Sequence, residues 1–309
     1  MMDRMLLGLF AVLKFIFERL SIDRGLCLGA CLGRLWDGLG APRTRRVREQ
    51  LAAALPDEDA VQREVWAREV FLHLGRGLAE LILLCGRRRA ELLDRVQVDG
   101  LENLAAAERQ SPTGGVVVVT AHYGNWELAC AKMVTMGVPI SVLYRGRRQP
   151  VLDRILLEMR GAGPRSGGRF SDLEQIPMGR AGMRFVRALE AGRKVVVLLD
   201  QDADAEEGIF VSFFNRPAST RSGPLALAAL RGVPVVPVFI RRSLDGRTHR
   251  FQIHPALRLE SGAADDDEIL RRQVQQATAV IEAEIRESPG QWIWTHRRWR
   301  TRPPAARHP

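Results

Sequence analysis

The chain has 309 residues, 46% of them apolar and 27% charged. That length suits one large domain or two modest ones, and the balance excludes a mainly disordered protein. The formal net charge is +10; Lys14, Lys132 and Lys194 are the only lysines, so 43 of the 46 basic residues are arginine. A GC-rich genome explains the choice of arginine over lysine, but the sign itself favours an anionic partner, whether nucleic acid, anionic lipid or an acidic protein. Cys27, Cys31, Cys85 and Cys130 form no CxxC pair, which argues against a disulfide scaffold or a zinc site and for reduced thiols in the cytoplasm.

From Met5 to Phe17 the chain reads MLLGLFAVLKFIF, with one charge. This is shorter than the roughly 20 apolar residues of a spanning helix, and no small-residue cleavage site follows it. LGAC, ending at Cys31, resembles a lipoprotein cleavage box, but Asp23 and Arg24 interrupt the apolar run before it. On a helical wheel Leu6, Leu9, Leu13, Ile16, Phe17 and Leu20 gather on one face, opposite Asp3, Arg4, Lys14 and Glu18. An amphipathic helix in the membrane interface fits this pattern. A first helix packed on its own domain and a tilted anchor extended to Ile22 are the alternatives. Residues 1–40 are thus read as membrane-associating helices.

A second helix-rich stretch follows: Arg43 to Leu55, ended by Pro56, then a helix capped by Asp57 or Asp59 and running to about Leu84. After Arg95 the pattern changes. Val116 to Val119, Val195 to Leu199 and Val233 to Ile240 are short β-branched runs suited to strands buried on both faces. Helix-length stretches separate them, at Asn125 to Met136, Val151 to Arg160, Met178 to Glu190 and Gly223 to Leu230. A further strand over His249 to Leu259 and a long polar helix from about Asp265 to Glu287 complete the pattern. It predicts an α/β domain over residues 41–302, a largely parallel sheet flanked by helices, with a loose tail at 303–309.

Chemistry concentrates in VVVVTAHYGNWELA. His122 follows a buried strand, and Glu127 falls in the first turn of the next helix. In α/β proteins the carboxyl ends of strands are where sites are built. A carboxylate against one imidazole nitrogen fixes the tautomer and raises the basicity of the other, which then takes a proton from a hydroxyl. Such a dyad needs no Ser or Cys nucleophile, and helix N-terminal amides nearby would help to hold an anionic group. The bland reading is a histidine that caps the helix. Asp200, Asp202 and Asp204 follow a second strand in DQDAD, which reads as a solvated loop or a site wall because no downstream calcium ligand follows. GAGPRS at Gly161 lacks the third glycine of a dinucleotide fingerprint. His249 and His254 have no carboxylate partner pattern and read as surface or core residues. No motif for a metal or cofactor emerges. Trp292, Trp294 and Trp299 interleave with His296, Arg297, Arg298, Arg300 and Arg302. That segment could stack on nucleic acid, sit at a membrane interface, close over a phosphorylated headgroup, or simply strap the domain.

Taken in order, these blocks resemble the lipid A late acyltransferases. AHYGNWELA is similar to that family's HX4(D/E) block, and YRGRRQPVLDRILLEMRGAG to its second block. DQDADAEEGIFVSFFNRPASTRSGPLALA, VPVVPVFIRR and QWIWTHRRWRTRP match the rest. The resemblance implies a glycerolipid-acyltransferase-like α/β fold at the cytoplasmic face of the inner membrane. It implies transfer of an acyl chain, usually from acyl-carrier protein, to a hydroxyl of a phosphorylated lipid A precursor, with no cofactor and with nucleic acid the least favoured partner. By position, His122 is the general base and Glu127 its orienting acid. Arg160 faces the acceptor or the developing oxyanion. Asp200 supports the site or contacts the acceptor, and Asn125, Arg145 and Arg297 are further substrate contacts. Gly146, Gln149 and Asn215 depart from the family pattern in substrate-facing blocks. Another lipid acceptor, a phosphatidylinositol mannoside or a lysophospholipid, would use the same dyad.

Overall fold

The computed structural model describes residues 2–144, 173–177, 181–260 and 266–303. Five helices come first: α1 (Met2–Arg19), α2 (Ile22–Gly38), α3 (Pro42–Ala54), α4 (Ala60–Leu84) and α5 (Arg89–Asp94). None of the described helices is long and apolar enough to cross a membrane. Helix α1 packs its Phe17 into the core, with Phe10 and Leu13 against the same cluster, while Val12, Phe15 and Ile16 stay exposed. Helices α2 and α4 approach backbone to backbone. A Cβ at Gly33 would meet the Phe71 carbonyl, and one at Gly75 would meet that of Gly29.

The sheet has seven strands: β1 (Val96–Asp99), β2 (Val116–Thr120), β3 (Ile140–Tyr144), β4 (Leu173–Pro177), β5 (Lys194–Leu198), β8 (Val235–Arg242) and β9 (His249–Ile253). Their order is β1-β9-β8-β2-β5-β3-β4. The five strands from β8 to β4 are mutually parallel, and β9 turns antiparallel to β8, carrying β1 with it. Strands β6 (Gly208–Phe213) and β7 (Arg216–Arg221) form a separate hairpin. Its turn holds Phe214 and Asn215, both at positive φ, the conformation two-residue hairpin loops require and asparagine tolerates. This accounts for Asn215 locally, without reference to substrate.

The valine runs are buried on both faces because alternate side chains enter different layers. Val117, Val119, Val195, Val197 and Val235 face one cluster. That layer holds α8 (Ala181–Glu190), α9 (Gly223–Arg231) and α10 (Asp267–Glu287), through Phe185, Leu225 and Val274 among others. Val116, Val118, Val196 and Val236 face the opposite layer, with α6 (Leu101–Gln110) and α7 (Trp126–Thr135). The expected α/β architecture is present. The predicted helix over Val151 to Arg160 lies outside the described residues, and the predicted strand from His249 ends at Ile253 rather than Leu259.

Candidate active site

Strands β2 and β5 pair in parallel with Val116 opposite Lys194 and Thr120 opposite Leu198. Extending that register by two residues sets His122 beside Asp200. The pairing persists past the strand ends, where Leu199 N–H donates to the Thr120 carbonyl at 3.0 Å. Asp200 is 3% exposed. Its Oδ1 lies 2.8 Å from His122 Nδ1, and its Oδ2 accepts from the His122 backbone N–H at 2.9 Å and from Trp292 Nε1 at 2.7 Å. Burial alone would push this carboxyl up. The His122 ring and the bonds from His122 and Trp292 outweigh that and hold it at about 2.

An ionised Asp200 has no proton to give, so Nδ1 carries the hydrogen, and in the neutral ring Nε2 keeps its lone pair. The Gln201 side-chain amide, 3.1 Å from Nε2, is then the donor to it. The ring is also held edge-on by Trp126, with centroids 4.9 Å apart. Its backbone is pinned from the C-terminal side: Ile293 N–H donates to the His122 carbonyl, and Gly124 N–H to that of Gln291. Gly124 has φ +59, and a Cβ there would strike the Ile240 carbonyl, so only glycine makes this turn.

Glu127 is buried in the first turn of α7 and lines the cavity that opens beside His122. The carboxylate bonded to His122 Nδ1, however, is that of Asp200, a residue the sequence alone reads as loop or site wall. Asn125 is buried and serves as the N-cap of α7. Its Oδ1 accepts from Leu128 N–H at 3.2 Å, and its Nδ2 donates to Glu80 Oε2 at 2.8 Å. Glu80 is fully buried between Arg242, which donates at 2.7 Å, and His249 Nε2 at 2.8 Å. The absence of a carboxylate partner for His249 is therefore corrected: the partner comes from α4, 169 residues away, where no local pattern reveals it.

The cavity beside His122 has a volume of about 430 Å³. Its mouth carries His122, Glu127, Gln201 and Arg221, the last paired with Glu207 at 2.6 Å. Its interior runs between the sheet and α7, walled by Val118, Val196, Val142, Ile140, Met133 and Phe251. A polar, catalytically equipped mouth on an apolar interior suits a reactive head carried on a long hydrocarbon chain.

The other predicted residues fall as follows. Arg145 and Arg160 lie outside the described residues, as does GAGPRS. Arg297 is exposed and forms no ion pair among the described residues. Asp202 accepts from Thr301 and Arg300, and Asp204 from Arg300, so these acids tie down the C-terminal segment rather than forming a solvated loop. Among the described residues no group of three His, Cys, Asp or Glu side chains is arranged to hold a metal ion. The C-terminal segment is a strap. Trp292 and Trp294 are buried, against each other and against Phe213 and Phe214. Arg298 is fully buried and donates to the Ser219 carbonyl at 2.6 Å. The indoles of Trp292 and Trp294 are not presented for stacking on a nucleic acid. Gln201 and Trp292 are site residues that sequence reasoning passed over as such, although both sit in blocks it singled out.

A sequence profile described as bacterial lipid A biosynthesis acyltransferase matches residues 6–301. The chain is 27% identical over 281 residues to the lipid A biosynthesis palmitoleoyltransferase of Escherichia coli K12, covering 90% of this chain and 86% of that protein. It is 27% identical over 277 residues to the lauroyltransferase of the same organism, covering 89% and 85%. To the myristoyltransferase it is 25% identical over 286 residues, covering 91% and 82%.

Proposed function

Because the chain belongs to the bacterial lipid A biosynthesis acyltransferases, we propose that it moves a fatty acyl group from an acyl-carrier-protein thioester to a hydroxyl of a hydroxyacyl chain on a phosphorylated lipid A precursor. The observation that carries this reading is His122, held as the Nδ1–H tautomer by Asp200 at the mouth of an apolar cavity. The donor chain enters the cavity, which leaves its thioester carbonyl at the mouth. The acceptor hydroxyl displaces the Gln201 amide from Nε2 and gives its proton to that nitrogen as the oxygen attacks the carbonyl carbon. The tetrahedral intermediate collapses with loss of the carrier thiolate. The thiolate takes the proton back from the imidazolium, leaving an ester, a free thiol and the starting ring.

Asp200 orients the base and stabilises the transient imidazolium, and Glu127 is the second carboxylate at the reacting centre, beside the hydroxyl. In this reading Arg160, Arg145 and Arg297 supply positive charge for the phosphorylated acceptor. The enzyme works at the cytoplasmic face of the inner membrane. There its +10 charge meets an acidic carrier, a phosphorylated glycolipid and an anionic leaflet.

The test is lipid A mass spectrometry from a strain lacking the chain, complemented with the natural sequence or with His122→Ala. Loss of one secondary acyl chain, restored by the natural sequence and not by the variant, is expected. An unchanged lipid A profile would move the acceptor to another lipid class. Restoration by His122→Ala would remove the mechanism.

A further inference from the structure

A second cavity, of about 130 Å³, also borders His122. His122, Trp126, Glu127 and Ile293 line both spaces, so the two adjoin at His122. The walls of the second come from one face of α4. Leu74, Gly77, Leu78 and Leu81 recur there at helical spacing. Two of its polar members are committed elsewhere. Asn125 is committed to Glu80 and to the α7 N-terminus, and Gln291 to the Arg242 backbone. His73 is kept neutral, pushed down to about 3 by burial and by the nearby Arg242 and Arg76. Apart from Glu127 and His122, which it shares with the larger cavity, the groove is lined mainly by apolar side chains and reaches the surface at Leu78, 46% exposed.

The chemistry of the acceptor asks for such a second space. This step rests on the reading that the acceptor is a hydroxyacyl lipid. Its hydroxyl sits part-way along a chain, so the carbinol carbon bears the sugar-linked arm on one side and a hydrocarbon tail on the other. When the oxygen lies at His122 Nε2 and the donor fills the larger cavity, the tail must leave by a different apolar path. The donor arrives as a single chain on a carrier, free to enter an interior cavity. The acceptor has several chains anchored together in a bilayer, so its tail needs a groove open along one side. We propose that the groove between α4 and the N-terminus of α7 binds the hydrocarbon tail of the acceptor's hydroxyacyl chain.

Gly77 provides the test. A Cβ there meets nothing within 4 Å, and its φ is not positive, so a larger side chain enters the groove without backbone strain. Replacing a helical glycine also favours the helix. Two-substrate kinetics would compare the natural sequence, Gly77→Ala and Gly77→Phe, with a long-chain 3-hydroxyacyl diphosphoryl disaccharide and with its 3-hydroxybutyryl counterpart. Expected for Gly77→Phe is a rise of tenfold or more in KM for the long-chain acceptor, with donor KM within twofold. Its KM for the short-chain acceptor should match that of the natural sequence, and Gly77→Ala should resemble the natural sequence throughout. Unchanged long-chain acceptor KM in a folded Gly77→Phe enzyme overturns the groove. A rise in donor KM instead assigns the groove to the donor and also overturns it. If the natural sequence transfers nothing to either disaccharide, the acceptor reading itself fails, and that result is distinct from the others.

Discussion

Asp200 decides which nitrogen of His122 keeps a lone pair. Its carboxylate can only accept, so it fixes the proton on Nδ1. Replacing it with asparagine keeps the shape but allows an amide N–H to face Nδ1, moving the imidazole proton to Nε2 where it blocks base function. Asp200→Asn should lower kcat by about 10³-fold or more, the scale seen when an orienting carboxylate is neutralised in a triad, with fold and substrate KM retained. Gln201→Glu probes the other nitrogen. A negative charge beside Nε2 favours the imidazolium, so the acid limb of the kcat/KM profile should move to higher pH. Activity at neutral pH should fall and recover as pH rises; an unshifted limb would remove Gln201 from contact with the working nitrogen. His122 was legible from sequence because it stands where a buried valine run ends. Asp200 was half legible. Each run starts a strand whose sixth residue onward leaves the sheet, and the equal offsets of His122 from Val116 and Asp200 from Lys194 encode their meeting. That equality becomes informative only once β2 and β5 are known to be neighbours.

The elements were legible in proportion to their length and burial. Helix α4, the valine strands and α10 declare themselves by sustained periodicity or by unbroken β-branched runs. Strands β1, β3 and β4 are four or five residues long with mixed burial, and the β6–β7 hairpin is partly exposed, so neither period shows in them. What ties the elements together at the site is less legible still. Glu80 of α4 joins the α7 cap, β8 and β9 through Asn125, Arg242 and His249, and nothing in the local sequence marks it. Glu80 remains ionised because Arg242 and His249 outweigh its burial, whereas burial lowers the pKa of His249. Burial lowers the pKa of both His249 and His73 in the folded state, that of His73 to about 3. In the unfolded chain they take up protons below about 6.5, so ν in the unfolded state exceeds that in the folded state and stability falls as pH drops. The slope is up to about 1.4 kcal/mol per pH unit per histidine. Arg242→Met should cost about 3–5 kcal/mol at neutral pH, because Glu80 is left buried without its cation. Glu80 and His249 then retain protons on folding that the unfolded chain holds less well, so denaturation between pH 6.5 and 5 should give a shallower or reversed slope. A variant slope as steep as that of the natural sequence would show that Arg242 does not govern the charge state of this cluster.

At the scale of the molecule, exposed large apolar side chains concentrate on the N-terminal helices α1 and α2. Helix α1 was expected to be amphipathic, with a single apolar face. In the structure Phe10, Leu13 and Phe17 of that helix pack inward, and a second apolar set, Val12, Phe15 and Ile16, is left outward with Phe15 56% exposed. Leu35 of α2 and Leu39, which caps that helix, are more exposed still, at 62% and 72%. Neither helix is long and apolar enough to span a bilayer, and interfacial binding would cover these exposed side chains. Each large side chain fully moved from water contributes about 1.5–3 kcal/mol, and each nearby arginine about 1 kcal/mol against an anionic leaflet. Changing Val12, Phe15 and Ile16 together to glutamine removes the apolar part while retaining a good helix former. Flotation with vesicles of phosphatidylglycerol and phosphatidylethanolamine should then show binding reduced tenfold or more, with Tm within about 2 °C because none of the three side chains is buried. Binding of the natural sequence should weaken as salt rises, since exposed charges are screened over about 10 Å at 0.1 M. If the triple variant floats as well as the natural sequence, membrane contact is made elsewhere, and the outward face of α1 has no part in bringing His122 to its lipid.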